Sequence, residues 1–583
     1  MSRTRFGALM TTAVMLFTAC GGGPAGSSAP PASQPSAPSS SAPSSQSAGP
    51  SESPSAAVKE GGTLLFGIPG DMVLADPTLV SDSNSSYVMN NVVEGLVRLK
   101  PGTISEVEPG LAESMPEVNA DSTEFTFKLR TGIKFHDGTD FNADAVVYNY
   151  MRQKNAPKPL QDAYNYYYSA VFGGWGDDSN LKSVVAVDAS TVKFTFNHPQ
   201  LNFLISQAPL PQFGIQSPAA LKAGDADNPD PSKSPYAQGQ GGTGKSMVGT
   251  GPFMYKEWVP NDHVTIVKNP DYWDKPRAAH LDSVIFKPFA DQTAELNALQ
   301  SEGDIDIAQT ILPNDAETLK ADTANYTVYD RGDSCNVGHL AFNHKFKPFD
   351  NIHIRKAIAY ALNTQSYIDA IYAGQAVVAD NWMPPATEFY KALNLPKYDV
   401  QKAKDEVAAS GLTGNVLNLT FHYPSDVSRP YMPDPKALAE AIARDLEAVG
   451  FTIKFETAGW RTGYIKNESA GNYPMWLIGW TCDWAGPDNF LYTAFFHPNG
   501  TKVNTEYDYS PPDLVKAMND GLSAPDEGAA KTAWDKAQDI LARDLPTVPL
   551  VHSRPPAASK AYVKGFVGAG NLNEFANSIW LDK

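Results

Sequence analysis

Two hydrophobic periods alternate along this chain from about residue 61 onwards. At Phe125, Phe127 and Leu129 every second residue is apolar, which is typical of a strand with one buried face. Between Asp434-Pro435, a typical helix start, and Gly450, a typical helix end, the apolar residues instead follow the helical period. Because strands and helices interleave throughout, the pattern predicts an α/β protein whose sheets are covered by helices on both faces.

The same two periods predict further elements along the chain. Strands are expected at 61–68, 192–196 and 451–455. Helices are expected through Tyr87 and Leu96, from Val146 onwards, and from Asp350 to Gly374.

The first residues have a different pattern. An apolar run from Ala8 to Ala19 follows Arg3 and Arg5. The run is shorter than the about 20 residues that span a bilayer, so it predicts a signal peptide over 1–19. Cys20 lies directly behind the run, and this layout resembles the lipobox of bacterial lipoproteins. The resemblance implies cleavage before Cys20 and a lipid on that residue.

Two observations leave alternatives open at this end. Phe17 stands where a lipobox usually has leucine. An ordinary secreted protein, or a free cysteine in a disordered tail, would also fit. Residues 20–58 are rich in serine, proline and alanine, a composition that predicts a disordered stalk between membrane and globule.

The overall composition excludes several classes of function. The formal net charge is −18, which argues against a nucleic-acid partner, since such proteins neutralise phosphates with Lys and Arg. No later apolar run is long enough to cross a membrane. The histidines and cysteines show no zinc-like spacing, so we expect neither a metal nor a cofactor. Cys335 and Cys482 either pair in an oxidising compartment or remain two separate buried thiols.

One motif is misleading. Residues 239–246 read GQGGTGKS and match the nucleotide-binding P-loop pattern. A working P-loop follows a strand and opens a helix, but here a proline-broken loop precedes the motif and Gly249, Gly251 and Pro252 follow it. We therefore predict a surface loop without nucleotide. Hydrolase motifs are also missing from the sequence, and we expect no enzymatic activity.

A series of blocks carries the functional signal. They are GLAESMPEVNADSTEFTFKLRTGIKFHDGTDFNADAVVYNYM at 110–151, GTGPF and NPDYW within 249–273, LAFNHKFKPFDNIHIRKAIAYALNTQSYIDAIYAG at 340–374, SRPYMPDPKALAEAIARDLEAVGF at 428–451 and GWTCDWAGPDNF at 479–490. In order and spacing these blocks resemble the family 5 extracellular solute-binding proteins, receptors of peptide ABC importers. The last two blocks look most like the dipeptide-binding branch of that family.

The resemblance implies a fold and a domain layout. The fold is the two-lobed, type II periplasmic-binding-protein-like α/β fold, with an extra subdomain in the first lobe. The first lobe would comprise 59–334, with the subdomain at about 86–240. The second lobe would comprise 335–552, and 553–583 would return to the first lobe.

The resemblance also implies site residues. By residue match, Asp483 holds a peptide's amino terminus and Arg429 holds its carboxylate, with Tyr431, Trp480 and Trp484 beside them. An arginine fork suits a carboxylate, and an Asp flanked by tryptophans suits an ammonium group. We expect the two charges to face each other across a cleft between lobes. Relatives also imply a Cys335–Cys482 disulfide.

The sequence thus predicts a monomeric, lipid-anchored receptor on the extracytoplasmic face of the cell membrane, in the periplasm or on the cell-wall side. It would bind di- or oligopeptides and deliver them to an ABC permease. Two alternatives remain. One is the same fold binding a nickel chelate, haem or an oligosaccharide, and the other is a secreted hydrolase.

Overall fold

The computed structural model describes residues 57–163, 166–499 and 504–583. The predicted signal peptide, Cys20 and most of the predicted stalk lie outside these residues. The described strands are β1 (Thr63–Ile68), β2 (Val97–Leu99), β3 (Val107–Pro109), β4 (Glu117–Val118), β5 (Glu124–Lys128), β6 (Leu181–Asp188), β7 (Thr191–Phe196), β8 (Phe253–Val259), β9 (His263–Lys268), β10 (Ser283–Pro288), β11 (Ile307–Ala308), β12 (Tyr326–Tyr329), β13 (Asn336–Phe342), β14 (Ala376–Val378), β15 (Asn418–Pro424), β16 (Thr452–Ala458), β17 (Met475–Thr481), β18 (Val548–Ser553), β19 (Ala557–Lys560), β20 (Val563–Lys564) and β21 (Trp580–Leu581).

The described helices run between these strands. They are α1 (Ser83–Met89), α2 (Ala143–Lys154), α3 (Lys158–Ala163), α4 (Tyr166–Phe172), α5 (Phe203–Gln207), α6 (Pro218–Ala223), α7 (Gln292–Gln300), α8 (Pro313–Lys320), α9 (Ile352–Ala361), α10 (Thr364–Ile371), α11 (Val400–Ala409), α12 (Pro435–Glu447), α13 (Ile465–Ser469), α14 (Asn504–Tyr507), α15 (Pro512–Leu522) and α16 (Glu527–Asp544).

Two large sheets define two lobes. Seven strands, in the order β12-β19-β11-β1-β10-β9-β8, form the sheet of the first lobe (57–329 and 557–583). Six strands, in the order β14-β18-β13-β17-β15-β16, form the sheet of the second lobe (336–553). The chain therefore crosses between the sheets twice, once through 330–335 and once through 554–556.

The first lobe carries a second, smaller sheet of its own. Strands in the order β4-β5-β7-β6 form it. A separate hydrophobic core that runs from Leu96 to Val248 packs against this sheet, and we call 96–248 the subdomain. The alternation at Phe125 and Phe127 is confirmed as β5, since both rings are buried there.

The strand directions in the second lobe place one loop at a switch point of the sheet. β17 pairs parallel with β15 and antiparallel with β13. In open α/β sheets, ligands bind beyond the carboxyl ends of strands where the direction of chain connection changes. The loop that follows β17 carries Asp483, so the topology brings this residue to such an edge.

Most predicted elements are confirmed, and α12 begins as expected, with the Asp434 side chain accepting from Ala437 N–H at its start. Two predicted helices are wrong in extent. α1 ends at Met89 instead of reaching Leu96, because the following backbone packs against two glycines; a Cβ on Gly249 would lie 2.2 Å from the Val92 carbonyl oxygen. The helix expected to continue to Gly374 is divided between α9 and α10.

The P-loop-like segment is a loop, as predicted. Its four glycines have positive φ angles, from 68° to 92°, which a helix does not allow. No α-helix stands between Lys233 and Gln292 in this fully described stretch, whose one short helix is a 3-10 turn at Lys275–Arg277.

Candidate ligand site where the two lobes meet

The carboxylate of Asp483 joins the two lobes. Tyr167, in α4 of the subdomain, donates its hydroxyl to Asp483 Oδ1 at 2.8 Å. The second oxygen, Oδ2, accepts from Asn489 Nδ2 at 3.0 Å, and Asn489 Oδ1 accepts from the Asp483 N–H at 3.0 Å. Among the described residues, no cation forms an ion pair with this carboxylate. Asp483 is therefore oriented by three neutral hydrogen bonds and keeps an uncompensated charge.

The surroundings of Asp483 disfavour that charge. Burial raises the pKa of Asp483 to about 6, although the hydrogen bonds from Asn489 and Tyr167 oppose the shift. A neighbouring carboxyl, Asp488, behaves in the same way: burial raises its pKa to about 6 against hydrogen bonds from Asn202 and Trp484. A cationic group that approached Asp483 would lower its pKa and remove the cost of burying it.

The two tryptophans that flank Asp483 occupy different environments. Trp480 is half-buried and donates its indole N–H to Asn489 Oδ1 at 3.0 Å. Trp484 is 1% exposed and belongs to the core of the subdomain, although its backbone lies in the second lobe. Trp480 is thus placed to contact a ligand, whereas Trp484 fixes the Asp483 loop against the opposite lobe.

Arg429 stacks on an aromatic ring and, among the described residues, has no ion-pair partner. Its backbone N–H and C=O both bond to Met432, at 3.1 and 2.8 Å, so the segment forms a tight turn. The guanidinium carbon lies 4.5 Å from the centre of the Trp460 ring. No described residue forms an ion pair with Arg429, and its buried Nε has no acceptor in the described part of the chain. This donor is free for an anion.

A pair of glycines supports the Arg429 turn. Gly338 of β13 and Gly479 of β17 stand opposite each other in register, and Tyr431 lies over them. A Cβ on Gly479 would come within 2.5 Å of the Tyr431 ring, and one on Gly338 within 2.7 Å of the Tyr431 carbonyl oxygen. Tyr372 donates its hydroxyl to that carbonyl at 2.8 Å. Because Tyr431 is buried, its side chain packs the Arg429 turn against β13 and β17.

Arg429 and Asp483 lie on the same lobe. The expectation that they face each other from opposite walls of a cleft is wrong, because both segments belong to the second lobe. Both border the first lobe: Ser428 donates to the side chain of Gln292, at the start of α7, at 2.8 Å, and Asp483 accepts from Tyr167. The first lobe therefore covers a surface that carries both charges.

Comparison with known proteins identifies the family of the chain. The model of the bacterial extracellular solute-binding proteins, family 5 Middle, matches residues 106–502. The chain belongs to this family.

Individual relatives agree. The Di/tripeptide-binding protein 1 of Pseudomonas aeruginosa is 31% identical over 482 residues, 81% of this chain and 85% of that protein. The Heme-binding protein A of Haemophilus influenzae is 30% identical over 508 residues, 84% of this chain and 87% of that protein. A solved structure, the periplasmic binding protein DppA from Helicobacter pylori in complex with peptide STSA, superposes with a TM-score of 0.73 at 28% identity and covers 90% of this chain and 99% of its own. The two-lobed type II fold is confirmed.

Several residues of this family 5 site were not predicted from the sequence. These residues contact the candidate site or the segments that carry it, and they are Tyr167, Asn202, Gln292, Trp460 and Asn489. Tyr167 gave no usable signal, since it lies in a run of tyrosines far from Asp483 along the chain. The mid-strand glycines did give one, because a glycine inside a strand often marks a close approach of another segment.

Three further observations bear on this family 5 protein. Cys335 and Cys482 form a disulfide with a Cα–Cα distance of 5.3 Å, next to Asp483. Of the helices that the structure describes, none combines the length and the apolar character needed to cross a membrane. Within the same residues there is no cluster of His, Cys, Asp and Glu suited to a metal ion.

Proposed function

We propose that this family 5 protein is a peptide receptor that binds di- or oligopeptides by their charged termini and delivers them to an ABC importer, without catalysis. In this proposal the ammonium group binds Asp483 and the terminal carboxylate binds Arg429. The observation that carries the proposal is the state of these two residues. Both charges lack an ion-pair partner among the described residues, and both border the opposite lobe.

The electrostatics favour a zwitterionic ligand. The Asp483 carboxylate is partly buried and its burial raises its pKa, so an ammonium ion would compensate its charge. The Arg429 guanidinium offers a planar pair of donors to a carboxylate, while Trp460 covers one of its faces. Because both termini would be held on one surface, the spacing between the two charges would select ligand length.

The roles of the aromatic neighbours differ in this proposal. Trp480, half-buried beside Asp483, would contact the peptide. Trp484 and Tyr431 are almost fully buried, so they would position the Asp483 loop and the Arg429 turn instead. A micromolar affinity, about −8 kcal/mol, would suffice for a receptor that also spends free energy on closing its lobes.

Capped peptides test the proposal. Isothermal titration calorimetry would compare one hydrophobic dipeptide in three forms: free, N-acetylated and C-amidated. We expect the N-acetylated form to lose affinity by about 2 kcal/mol or more, since it leaves Asp483 buried and unpaired, and the amidated form to weaken as well. Equal affinity for all three forms would contradict binding by charged termini.

We further propose that Cys20 carries a lipid that holds the receptor, as a monomer, on the extracytoplasmic face of the membrane. The basic start, the short apolar run and the small residue before Cys20 support this. Mass spectrometry of the mature amino terminus would detect a diacylglyceryl group on Cys20. A Cys20→Ser variant whose signal peptide has been removed is expected in the soluble extracytoplasmic fraction, and retention of that processed variant in the membrane would contradict the anchor.

A second cargo is suggested by one comparison. The similarity to a heme-binding protein covers as much of the chain as the similarity to the di/tripeptide-binding protein. A haem receptor would show a Soret band after purification or titration, and haem would compete with the dipeptide. Haem binding that survives Asp483→Ala would separate the two cargoes.

A further inference from the structure

A cavity lies wholly inside the first lobe. It has a volume of about 70 Å³, and the segments around it are 90–101, 207–211, 252–277 and 575–577. None of its lining residues belongs to the second lobe, which carries Asp483 and Arg429. The cavity is therefore distinct from the site where the lobes meet.

One part of the cavity wall is apolar. The side chains that form this part are Val93, Val97, Leu99, Leu210 and Phe575. An apolar wall of this kind favours a ligand with a hydrocarbon or aromatic body.

Two amide groups on the wall have donors without acceptors. Gln207 is 7% exposed, and its Oε1 accepts from the Tyr150 hydroxyl. The amide nitrogen Nε2 is therefore the atom of this side chain that still needs a partner. Neither Gln207 Nε2 nor Asn90 Nδ2 has an acceptor within the described residues. Buried donors are seldom left unpaired in native proteins, so each of these two amides has a donor to offer to an acceptor beside it.

The charged groups of the wall also offer donors. Arg98 donates its Nε to Glu108 at 2.9 Å, and Arg277 donates from one terminal nitrogen to the same carboxylate at 2.7 Å. Asp274 lies farther off, 3.4 Å from Arg98 and 3.8 Å from Arg277. A guanidinium has five N–H groups, so each arginine keeps further donors after these contacts.

The one carboxyl group on the wall is already engaged. Glu94 accepts from the Tyr272 hydroxyl at 2.7 Å, the Trp273 indole N–H at 2.9 Å and the Thr250 hydroxyl at 2.8 Å. Burial raises the pKa of Glu94, which reduces its negative charge and its repulsion of an anion. The wall thus presents several donors beside an apolar surface.

We propose that this first-lobe cavity binds a small organic carboxylate with an apolar body, independently of the peptide site. The carboxylate oxygens would accept from the amides of Asn90 and Gln207 and from arginine N–H groups, and the body would pack against the apolar wall. The ligand needs no amino group, which separates it from the peptides proposed for the other site.

Fluorine NMR of the full chain tests this inference. The probes are para-(trifluoromethyl)benzoate and its neutral match, para-(trifluoromethyl)benzamide. Each is titrated into the wild type and into Arg429→Ala, which removes the proposed carboxylate position of the peptide site. We expect saturable benzoate binding to both proteins and binding of the benzamide weaker by about tenfold or more. No saturable benzoate binding, its loss in Arg429→Ala, or equal binding of the two probes would overturn the proposal.

Two cavity variants localise the binding. Ala208→Phe fills the cavity without removing a hydrogen bond, and the exposed Ala186→Phe of the same subdomain is its control. Asn90→Asp replaces a donor with an acceptor at nearly constant shape. Both cavity variants should weaken benzoate binding by about tenfold or more while dipeptide affinity stays unchanged. Benzoate binding that survives either change would place the ligand elsewhere, and Asn90→Asp gives this answer even if Ala208→Phe does not fold.

Discussion

The Tyr167 hydroxyl of the first lobe donates a 2.8 Å hydrogen bond to Asp483 of the second. The bond lies where the proposed ligand ammonium would bind, so it holds the lobes together by the same carboxylate that a peptide would use. An ammonium ion forms a stronger, charge-assisted hydrogen bond to a carboxylate than a phenol does. A bound peptide would therefore compete with Tyr167 for this carboxylate.

Removing the Asp483 carboxylate should abolish most of the peptide affinity. In Asp483→Ala we expect binding to weaken by about 2–5 kcal/mol, the usual cost of truncating one side of a buried charge pair. Calorimetry with a free dipeptide measures the change, and Asp520→Asn, on the exposed face of α15, is the control. Wild-type affinity in Asp483→Ala would remove this residue from the site.

Peptide affinity should fall as the pH is lowered through about 6. Burial gives Asp483 a pKa of about 6, and only its ionised form attracts an ammonium group. Binding near pH 6 should therefore release a proton, which appears in calorimetry as a dependence of the heat on buffer ionisation. The stability of the ligand-free protein has the opposite trend: a pKa raised from 3.8 means that stability from Asp483 is lost as the pH rises to about 6.

Tyr167→Phe tests whether Asp483 causes this pH dependence. The Tyr167 hydrogen bond lowers the pKa of Asp483, so the variant should move the midpoint of the affinity profile to higher pH. The exposed Tyr398→Phe should leave the midpoint where it is. A profile that is flat between pH 5 and 7 would show that Asp483 does not bind the amine.

The planar shape of the Arg429 guanidinium should contribute to peptide affinity in addition to its charge. Arg429→Lys keeps the positive charge but loses the planar donor pair and most of the stacking on Trp460. We expect the variant to bind a free dipeptide about tenfold more weakly and a C-amidated dipeptide nearly as the wild type does. An equal loss for both peptides would indicate a structural role for Arg429 instead.

A methyl group at Gly479 should displace Tyr431 and, with it, the turn that carries Arg429. A Cβ there would lie 2.3 Å from the Val337 carbonyl oxygen and 2.5 Å from the Tyr431 ring, so Gly479→Ala must displace the turn that carries Arg429. We expect a lower melting temperature and a peptide affinity reduced by tenfold or more, about 1.4 kcal/mol. Gly528→Ala, at the start of α16, is the control, and equal behaviour of the two variants would argue against the glycine support.

The local elements were predictable from the sequence because periodicity and end signals agree with each other there. Asp434-Pro435 starts α12, and the alternation at Phe125 becomes β5. α1 was predicted too long because its end is decided by the approach of Gly249, which lies far away along the chain.

The candidate site was predictable only in part, for the same reason. Asp483 and Arg429 were identified through family motifs, but Tyr167 approaches Asp483 across 316 positions of the chain. No local pattern encodes such a contact. The placement of both charges on one lobe follows from the strand order of the second sheet, in which β17 lies beside β13 and β15, and this order is set by tertiary packing.

The Cys335–Cys482 disulfide should stabilise both the second lobe and the Asp483 loop. The bridge joins residues 147 positions apart at the start of β13 and the end of β17, so it restricts a long loop in the unfolded chain. The variant Cys335→Ala/Cys482→Ala should lose about 2–4 kcal/mol of unfolding free energy in urea titrations. Because Cys482 directly precedes Asp483, we also expect weaker peptide binding by the folded variant. Reduction of the wild type should reproduce both effects, and an unchanged urea midpoint after complete reduction would show that the bridge contributes no stability.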